Sequence, residues 1–301
     1  MPKNHQITPH DEAHLPVLAQ EVIACLHPQA GESYLDLTAG YGGHAEAILK
    51  ATAAPGNFTL VDRDQTATEG LKKKFKTAHI IHQDFLGACT QLVGKQATFD
   101  MILADLGVSS PHFDRAERGF SFSQDGPLDM RMDQRQDLTA EDIVNHAPKQ
   151  ELADIIYRFG EEKASRRIAK TIAANRPIKT TGQLARVVAS AANFSLKRRV
   201  HPATKTFQAL RIAVNDELGQ LEKALPLMVN LLAPGGRLAI ISFHSLEDRI
   251  VKHFLAEHAH KGYDGELKLL TKKPLTAAQN EIVNNPRARS AKLRAAVKIK
   301  N

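Results

Sequence analysis

Four short apolar runs at near-equal spacing constrain the fold of this chain more than any other feature. Their last residues are Leu37, Val61, His82 and Ala104, and the intervals between them are 24, 21 and 22 residues. Helical patterns separate the runs. This rhythm is typical of strand–helix–strand units in a parallel sheet. It therefore predicts an α/β domain in the first third of the chain.

A glycine-rich turn follows the first predicted strand. Residues 34–44 read YLDLTAGYGGH, and a helix is predicted from about His44. Glycine tolerates positive φ and the close approach of a ligand, and the N–H groups at a helix N-terminus point at a bound molecule. An ordinary strand-to-helix turn would explain the same run. Asp62 favours a nucleotide site, because it lies 20 residues after Gly42, at the end of the second strand, where such folds place a ribose-binding carboxylate.

Charge is divided unevenly along the chain. The 53 residues from Lys163 to Asn215 contain 12 Lys and Arg residues and no Asp or Glu, whereas the chain before them has a net charge of −10. A solvated basic face is the simpler explanation of a basic segment. Such a long stretch without a carboxylate nevertheless favours contact with nucleic-acid phosphates. Its densest part is Lys197, Arg198 and Arg199, for which a solvated helix end is the alternative.

The strand rhythm is interrupted after the fourth strand. The next predicted strand, Arg237–Phe243, begins 133 residues after the fourth one ends, which leaves an insertion of about 100 residues. Helical patterns fill this insertion: Thr139 and Asp142 resemble a capping box, and Gly160 is a plausible helix end. A last helix, which includes Phe207, Leu210 and Val214, is predicted to return to the sheet. We therefore expect a Rossmann-like cofactor-binding domain, residues 1–106 and 207–301, interrupted by an all-helical, basic RNA-recognition domain, residues 107–206.

The composition indicates a folded cytoplasmic protein. Hydrophobic residues make up 43% of the chain, which is ordinary for a globular protein. No apolar stretch approaches the roughly 18 residues of a membrane span, and the N-terminus lacks the apolar core of a signal peptide. Cys25 and Cys89 are isolated and lack metal-type spacing. Free thiols in a reducing cytosol are therefore expected, and no metal site is predicted.

Candidate chemical residues lie at strand ends and in one loop. Asp105 follows the fourth strand, at the edge where open α/β sheets bind ligands, although a loop-capping carboxylate would look the same. The loop from Arg118 to Asp133 mixes glycine, aromatic residues, methionines and paired charges, which favours a lid over a cofactor. His244 follows the fifth strand, where a structural histidine is the commoner case. No Ser-His-Asp order can be defended.

These segments resemble the conserved blocks of one family, the bacterial 16S ribosomal RNA cytosine-N4 methyltransferases (the MraW or RsmH type). The blocks are HLPVL at 14–18, GGH at 42–44, DLGVSS at 105–110, RGFSF at 118–122, PLDMRM at 127–132, HPATKTFQALR at 201–211, SFHSLEDR at 242–249 and NPRARSAKLR at 285–294. The resemblance implies a class I methyltransferase fold with a helical insertion. It also implies S-adenosylmethionine as methyl donor and a decoding-centre cytosine of 16S rRNA in the 30S subunit as acceptor.

The resemblance also implies particular site residues. The family's cofactor contacts fall here on Gly42, Gly43, His44, Asp62, Phe85, Asp105 and His112. Asp62 would accept the ribose hydroxyls, and Phe85 would pack beside the adenine. Two departures from the family pattern are Leu37, where a glycine is usual, and His112, where a glutamine is usual; an imidazole can replace one of the amide's hydrogen bonds, so this contact stays open. The residues expected to contact the RNA are Ser109, Ser110, Lys197, Arg198, Arg199 and His244.

Little acid–base machinery is expected for this reaction. A sulfonium methyl group is already activated, so the protein chiefly has to align donor and acceptor. The cytosine amino nitrogen is a poor nucleophile because its lone pair is delocalised into the ring. Asp105 is the candidate acceptor for its N–H, unless the cofactor occupies that carboxylate. Neither an obligate protein partner nor a membrane contact is expected.

Three alternatives stay open at this point. A nicotinamide-dependent oxidoreductase would share the glycine turn and Asp62 but would not explain the basic stretch. A non-enzymatic RNA-binding protein would explain the charge but would have no need of the lid-like loop from Arg118 to Met132. A DNA amino-methyltransferase commonly carries a Pro-Pro-aromatic motif after the strand-end acid, where this chain has LGV at 106–108.

Overall fold

The chain forms two compact units. The computed structural model describes residues 16–107, 115–191, 201–259 and 265–300. One unit, here called the sheet unit, comprises Met1–Leu106 and Pro226–Asn301, and the other, the helical unit, comprises Gly107–Leu225. No helix within the described ranges is long and apolar enough to cross a membrane.

The sheet unit is built on a seven-stranded mixed sheet. Its strands are β1 Tyr34–Asp36, β2 Phe58–Asp62, β3 His79–His82, β4 Phe99–Asp105, β5 Leu232–Ser242, β6 Leu267–Leu269 and β7 Lys292–Lys298. Their order across the sheet is β3-β2-β1-β4-β5-β7-β6. The first five strands are parallel, and β7 runs antiparallel to both β5 and β6.

The topology confirms the predicted Rossmann-like, class I methyltransferase sheet. The observed ends of β1 to β4 each lie within one residue of the ends predicted from the spacing. The strand order reverses between β1 and β4, so the loops after these two strands diverge. In an open α/β sheet this is the place where a crevice for a ligand opens, at the carboxyl ends of the strands.

Twelve α-helices are found in the described ranges. They are α1 Ala19–Leu26, α2 Gly43–Thr52, α3 Gln65–Lys74, α4 Phe85–Gly94, α5 Ala140–His146, α6 Lys149–Gly160, α7 Ser165–Ala174, α8 Thr181–Ala191, α9 Ala203–Asn215, α10 Glu217–Asn230, α11 Ser245–His258 and α12 Gln279–Asn284. Short 3-10 turns cover Pro55–Asn57, Ala116–Arg118 and Pro286–Ser290.

The core of the sheet unit combines strand and helix side chains. Tyr34, Leu60 and Met101 are buried on the strands, and Leu26 and Ile48 on helices α1 and α2 join the same cluster. Both cysteines of this unit are free: Cys25 is half-buried and Cys89 is buried. Burial raises the pKa of the Cys89 thiol to about 12, so it is an unreactive core residue.

The helical unit has its own apolar core. Ile156 on α6, Ile168 and Ile172 on α7, and Leu184 on α8 are buried in one cluster. The capping box predicted at the start of α5 is confirmed, because Thr139 and Asp142 exchange side-chain and backbone hydrogen bonds. Helix α6 ends, as predicted, at Gly160.

The loop from Arg118 to Asp133 is part of this core. The side chains of Phe120, Leu128, Met130 and Met132 are buried in the same cluster as the helices. Asn215 fixes the loop, since its amide donates to the Met130 carbonyl at 2.8 Å and accepts from the Met132 N–H at 2.8 Å. The apolar residues that favoured a lid are therefore explained by packing within the helical unit.

The chain leaves the helical unit later than the sequence analysis expected. The expected return was at residue 207, whereas the division falls between Leu225 and Pro226, inside α10. The physical reason is packing: Phe207, Leu210 and Val214, which were expected to lie on the sheet, are buried in the helical core. Their helical spacing was interpreted correctly, but periodicity does not identify the partner of an apolar face.

Candidate active site

The glycine turn between β1 and α2 requires glycine for two different reasons. Gly40 and Gly42 have φ values of +52° and +79°, in the left-handed region. A Cβ on Gly42 would overlap the Phe75 ring. A Cβ on Gly40 would meet only the Thr38 carbonyl oxygen, at 4.0 Å. The turn therefore packs tightly below Gly42 and leaves open space beside Gly40.

Asp62 ends β2 next to this turn. Its Oδ2 accepts a hydrogen bond from the Gly40 N–H and its Oδ1 accepts one from the Asp64 N–H, both at 2.8 Å. Burial raises the pKa of the Asp62 carboxyl, and the two backbone donors oppose that rise. Each carboxylate oxygen can accept more than one hydrogen bond. Asp62 therefore has capacity left for a pair of ligand hydroxyls.

Phe85 lies at the same edge of the sheet. Asp62 pairs with His82 at the end of β3, and Phe85 opens α4 shortly after that strand. Asp84 caps the helix by accepting from the Gly87 N–H at 2.8 Å. The Arg63 guanidinium carbon lies 5.8 Å from the centroid of the Phe85 ring, within cation–π range. The Phe85 ring therefore lies at the start of α4, at the same edge of the sheet as Asp62.

The carboxyl ends of β1 and β4 bring several titratable side chains together. His44 Nε2 on α2 lies 3.7 Å from Asp105 Oδ2 at the end of β4. Asp36, at the end of β1, accepts from the Tyr34 hydroxyl at 2.8 Å and from the Thr38 N–H at 3.2 Å. The Thr38 hydroxyl in turn accepts from the Asp105 N–H at 2.6 Å. Two carboxylates and an imidazole therefore share one site, in which Asp36 and His44 are buried and Asp105 is half-buried.

The electrostatics of this site follow from burial and mutual charge. Burial raises the pKa of Asp36 to about 6, opposed by His44 and by the hydrogen bonds from Tyr34 and Thr38. For His44, burial lowers the pKa, but Asp105 and Asp36 more than offset it, so that the pKa lies above its ordinary value. Burial raises the pKa of Tyr34 well above its ordinary value. The site thus favours a protonated imidazole between two acids.

Some polar atoms of the cluster lack partners among the described residues. They are both ring nitrogens of His44 and Oδ1 of Asp105, all of them buried. Buried polar atoms in folded proteins are normally hydrogen-bonded, so these atoms suit a polar ligand. Together with the open space beside Gly40 and the acceptor capacity of Asp62, they fit an adenosine-type cofactor with a charged tail.

The structure brings most of the predicted cofactor contacts to one edge of the sheet unit. The residues found there are Gly42, Gly43, His44, Asp62, Phe85 and Asp105. Other predicted contacts lie outside the described residues. These are Ser109, Ser110, His112, Lys197, Arg198 and Arg199.

His244 has a local structural role. It is the N-cap of α11, where its Nδ1 accepts from the Glu247 N–H at 3.4 Å. The Glu247 carboxylate in return accepts from the backbone N–H groups of Phe243 and His244, at 2.8 and 3.2 Å. This reciprocal cap explains a histidine and a glutamate three residues apart. A contact between His244 and the RNA stays a prediction.

Asp36, Tyr34 and Glu281 were not predicted as site residues. Asp36 had one sequence signal, a carboxylate that ends an apolar run directly before a glycine turn. Glu281, on α12, accepts from the Leu18 N–H at 2.7 Å, and its charge helps to raise the pKa of His44. Nothing in the local sequence around Glu281 indicates this, because only the folded chain brings it near the glycine turn.

Comparison with known proteins gives one consistent answer. The model of the MraW methylase family matches residues 11–299. A relative from Acidobacterium capsulatum is 50% identical, over 95% of this chain and 99% of its own. One from Koribacter versatilis is 48% identical, over 95% and 94%, and one from Cyanothece sp. is 50% identical, over 95% and 95%. All three are named ribosomal RNA small subunit methyltransferase H.

Proposed function

Because the chain belongs to the MraW methylase family, we propose that it methylates the exocyclic N4 amino group of a decoding-centre cytosine in 16S rRNA, with S-adenosylmethionine as donor. The chain is an rRNA methyltransferase. We further propose that the enzyme acts on this cytosine in the 30S subunit and that it works in the cytoplasm. The observation that supports it most is that the buried ring nitrogens of His44 and Oδ1 of Asp105 have no hydrogen-bond partner among the described residues, next to the open space beside Gly40.

The site residues divide the work of holding the cofactor. Asp62 would accept the ribose hydroxyls, and Phe85 would pack against the adenine. The turn around Gly40 would admit the methionine part, whose charged groups would be met by His44 and Asp105. When bound, S-adenosylmethionine supplies a methyl group that is already activated by a sulfonium. The chain's own task is therefore alignment more than activation.

Asp105 is the residue proposed to act on the acceptor. Its Oδ1 is buried and has no partner among the described residues, so it can accept a hydrogen bond from the cytosine N–H. That bond favours a more tetrahedral amino nitrogen, whose lone pair is then less delocalised into the ring and more nucleophilic. Asp105 thereby orients the nucleophile, and solvent takes the proton after transfer.

A methyl-transfer assay tests this function directly. The protein is incubated with labelled S-adenosylmethionine and either unmodified 30S subunits or free 16S rRNA, and the labelled nucleosides are then separated. We expect N4-methylcytidine from at least one of the two substrates. Label in another nucleoside, or none, would contradict the proposal. Calorimetry with S-adenosylmethionine and with NAD tests the oxidoreductase alternative, for which NAD would be the tighter ligand.

Replacement of Asp105 separates binding from catalysis. Asp105→Asn keeps the shape and removes the charge, so we expect turnover to fall by about 100-fold or more while S-adenosylmethionine affinity changes less. Asp100→Asn on the same strand is the matched control, because the Asp100 carboxylate accepts hydrogen bonds from Ser33, away from the site, within the described part of the chain. Equal losses in turnover and cofactor affinity for Asp105→Asn would make Asp105 a cofactor ligand only.

A further inference from the structure

Helix α7 of the helical unit presents three cations on one side. Its buried side, with Ile168 and Ile172, belongs to the helical core. The residues Arg166, Arg167 and Lys170 are all exposed. Because the apolar side is fully packed, the orientation of the helix is fixed, and the three charges are held on a rigid face. We call Arg166, Arg167 and Lys170 the α7 basic face.

Other cations of the acid-free stretch have partners inside the unit. Arg176 donates to the Val144 and Ala147 carbonyls, both at 2.7 Å. Arg211 forms a bidentate ion pair with Glu217, in which its Nε and Nη2 donate to the two carboxylate oxygens at 2.8 and 2.9 Å. In contrast, the α7 basic face makes neither ion pairs nor side-chain hydrogen bonds with the described residues. Its charge is therefore available to a partner.

This arrangement lowers the stability of the helix that carries it. Arg166 and Arg167 lie in the first turn of α7, which has no acidic residue, and cations there oppose the helix dipole. Arg166 and Lys170 are four residues apart, a spacing at which like charges on a helix repel each other. By comparison, Lys72, Lys73 and Lys74 lie in the last turn of α3, where the dipole favours them. The α7 charges thus need a reason other than helix stability.

We propose that the α7 basic face binds the phosphate backbone of the RNA substrate. Guanidinium groups match phosphate oxygens with two parallel hydrogen bonds, and two adjacent arginines with a lysine one turn later suit consecutive phosphates. Helix α8, which follows α7, contains Arg186 and no carboxylate, so it adds no repulsion toward an anion. The inference rests on the proposed rRNA substrate and assigns part of its binding surface.

Salt dependence of binding provides the test. The variant R166Q/R167Q/K170Q removes three charges, and K72Q/K73Q/K76Q removes three exposed lysines from the sheet unit as a matched control. Binding of each to free 16S rRNA is measured from about 50 to 200 mM salt. We expect the slope of log K against log salt to become shallower by roughly 2 to 3 for the α7 variant, since each lost phosphate contact removes roughly 0.7 to 0.9. The slope of the control should stay at the wild-type value.

Several outcomes would overturn the inference. Equal slope changes in both variants would indicate a general charge effect, and an unchanged slope in both would make the face a solvated surface. Binding to anionic vesicles of phosphatidylserine and phosphatidylcholine is measured as well. If only the α7 variant loses vesicle binding and its salt slope for RNA is unchanged, the face binds a membrane instead. S-adenosylmethionine affinity and the circular dichroism spectrum should match the wild type, because the three side chains are exposed.

The wild-type protein separates this inference from the proposed function. If the wild type methylates 16S rRNA and the α7 variant keeps its salt slope, only the assignment of the face fails. If the wild type transfers no methyl group to rRNA, the proposed function itself fails.

Discussion

At the scale of single residues, Asp62 combines a structural and a binding role. It anchors the Gly40 and Asp64 N–H groups, and it has acceptor capacity left for a ribose. We expect Asp62→Ala to weaken S-adenosylmethionine binding by on the order of 1.5–3 kcal/mol, the range for hydrogen bonds to a charged group. Isothermal titration calorimetry measures this loss.

A neighbouring carboxylate controls for the structural part of that effect. Asp64 caps α3 by accepting from the Thr66 N–H at 2.7 Å. Asp64→Ala should therefore cost about 0.5–2 kcal/mol of stability and leave cofactor affinity near the wild-type value. If a folded Asp62→Ala variant bound the cofactor as tightly as the wild type, the ribose role would be excluded.

Asp36 makes the stability of the sheet unit depend on pH. Its pKa rises from 3.8 to about 6 in the folded chain because the carboxyl is buried. The folded state therefore holds this proton more tightly than the unfolded state does. The associated stability is complete below pH 3.8 and is lost as pH rises through about 6. Ionisation of Asp36 thus destabilises the fold, even though Tyr34 and Thr38 donate to it.

Asp36→Asn should remove this pH dependence. Between pH 4 and pH 6 we expect the wild type to lose roughly 2 kcal/mol of unfolding free energy relative to the variant. Urea denaturation at several pH values measures the difference. The comparison stays below pH 6.5, because loss of the Asp36 charge also lowers the pKa of His44. Parallel stability curves for the two proteins would show that Asp36 ionises normally.

At the scale of elements, the turn between β1 and α2 uses two glycines differently. Gly42 combines a φ of +79° with contact to Phe75, whereas Gly40 combines a φ of +52° with open space. Backbone strain applies to both positions, but overpacking applies only to Gly42. Gly42 is therefore required for folding, whereas Gly40 keeps space open for a ligand.

Alanine at each position gives opposite expected results. Gly42→Ala should lower stability by roughly 2–5 kcal/mol, the sum of backbone strain and overpacking. Gly40→Ala should cost only about 1–2 kcal/mol but should weaken S-adenosylmethionine binding, because the new methyl group enters the open space. Urea denaturation and calorimetry distinguish the two effects. Unchanged cofactor affinity in Gly40→Ala would place the cofactor elsewhere.

Elements with a strong local pattern were predictable, and elements defined by distant contacts were not. The ends of β1 to β4 followed from apolar runs, and the α5 capping box followed from Thr139 and Asp142. The elevated pKa of Asp36 depends on its burial in the folded chain, and the role of Glu281 depends on α12 lying near His44. Neither effect can be inferred from the neighbouring residues in the sequence.

At the scale of the whole molecule, the division into two units could be predicted only in part from the sequence. The start of the insertion after β4 could be predicted, because the next strand is missing from the sequence at its usual spacing. The far boundary depends on which core receives Phe207 and Leu210, and an apolar helix face fits a sheet or a bundle equally well. The uneven charge was visible from composition alone, whereas the α7 basic face required knowledge of which cations have partners.

The antiparallel strand β7 has a consequence for the order in which the chain can fold during its synthesis. β7 supplies the partner for one edge of β5, and it comes from residues 292–298, which follow both the helical unit and β5 in the chain. The helical unit ends at Leu225, so it is fully synthesised long before β7 emerges. Until then β5 has an unpaired edge, which is the kind of surface that promotes aggregation. Synthesis of β7 therefore completes the pairing of β5 within the sheet.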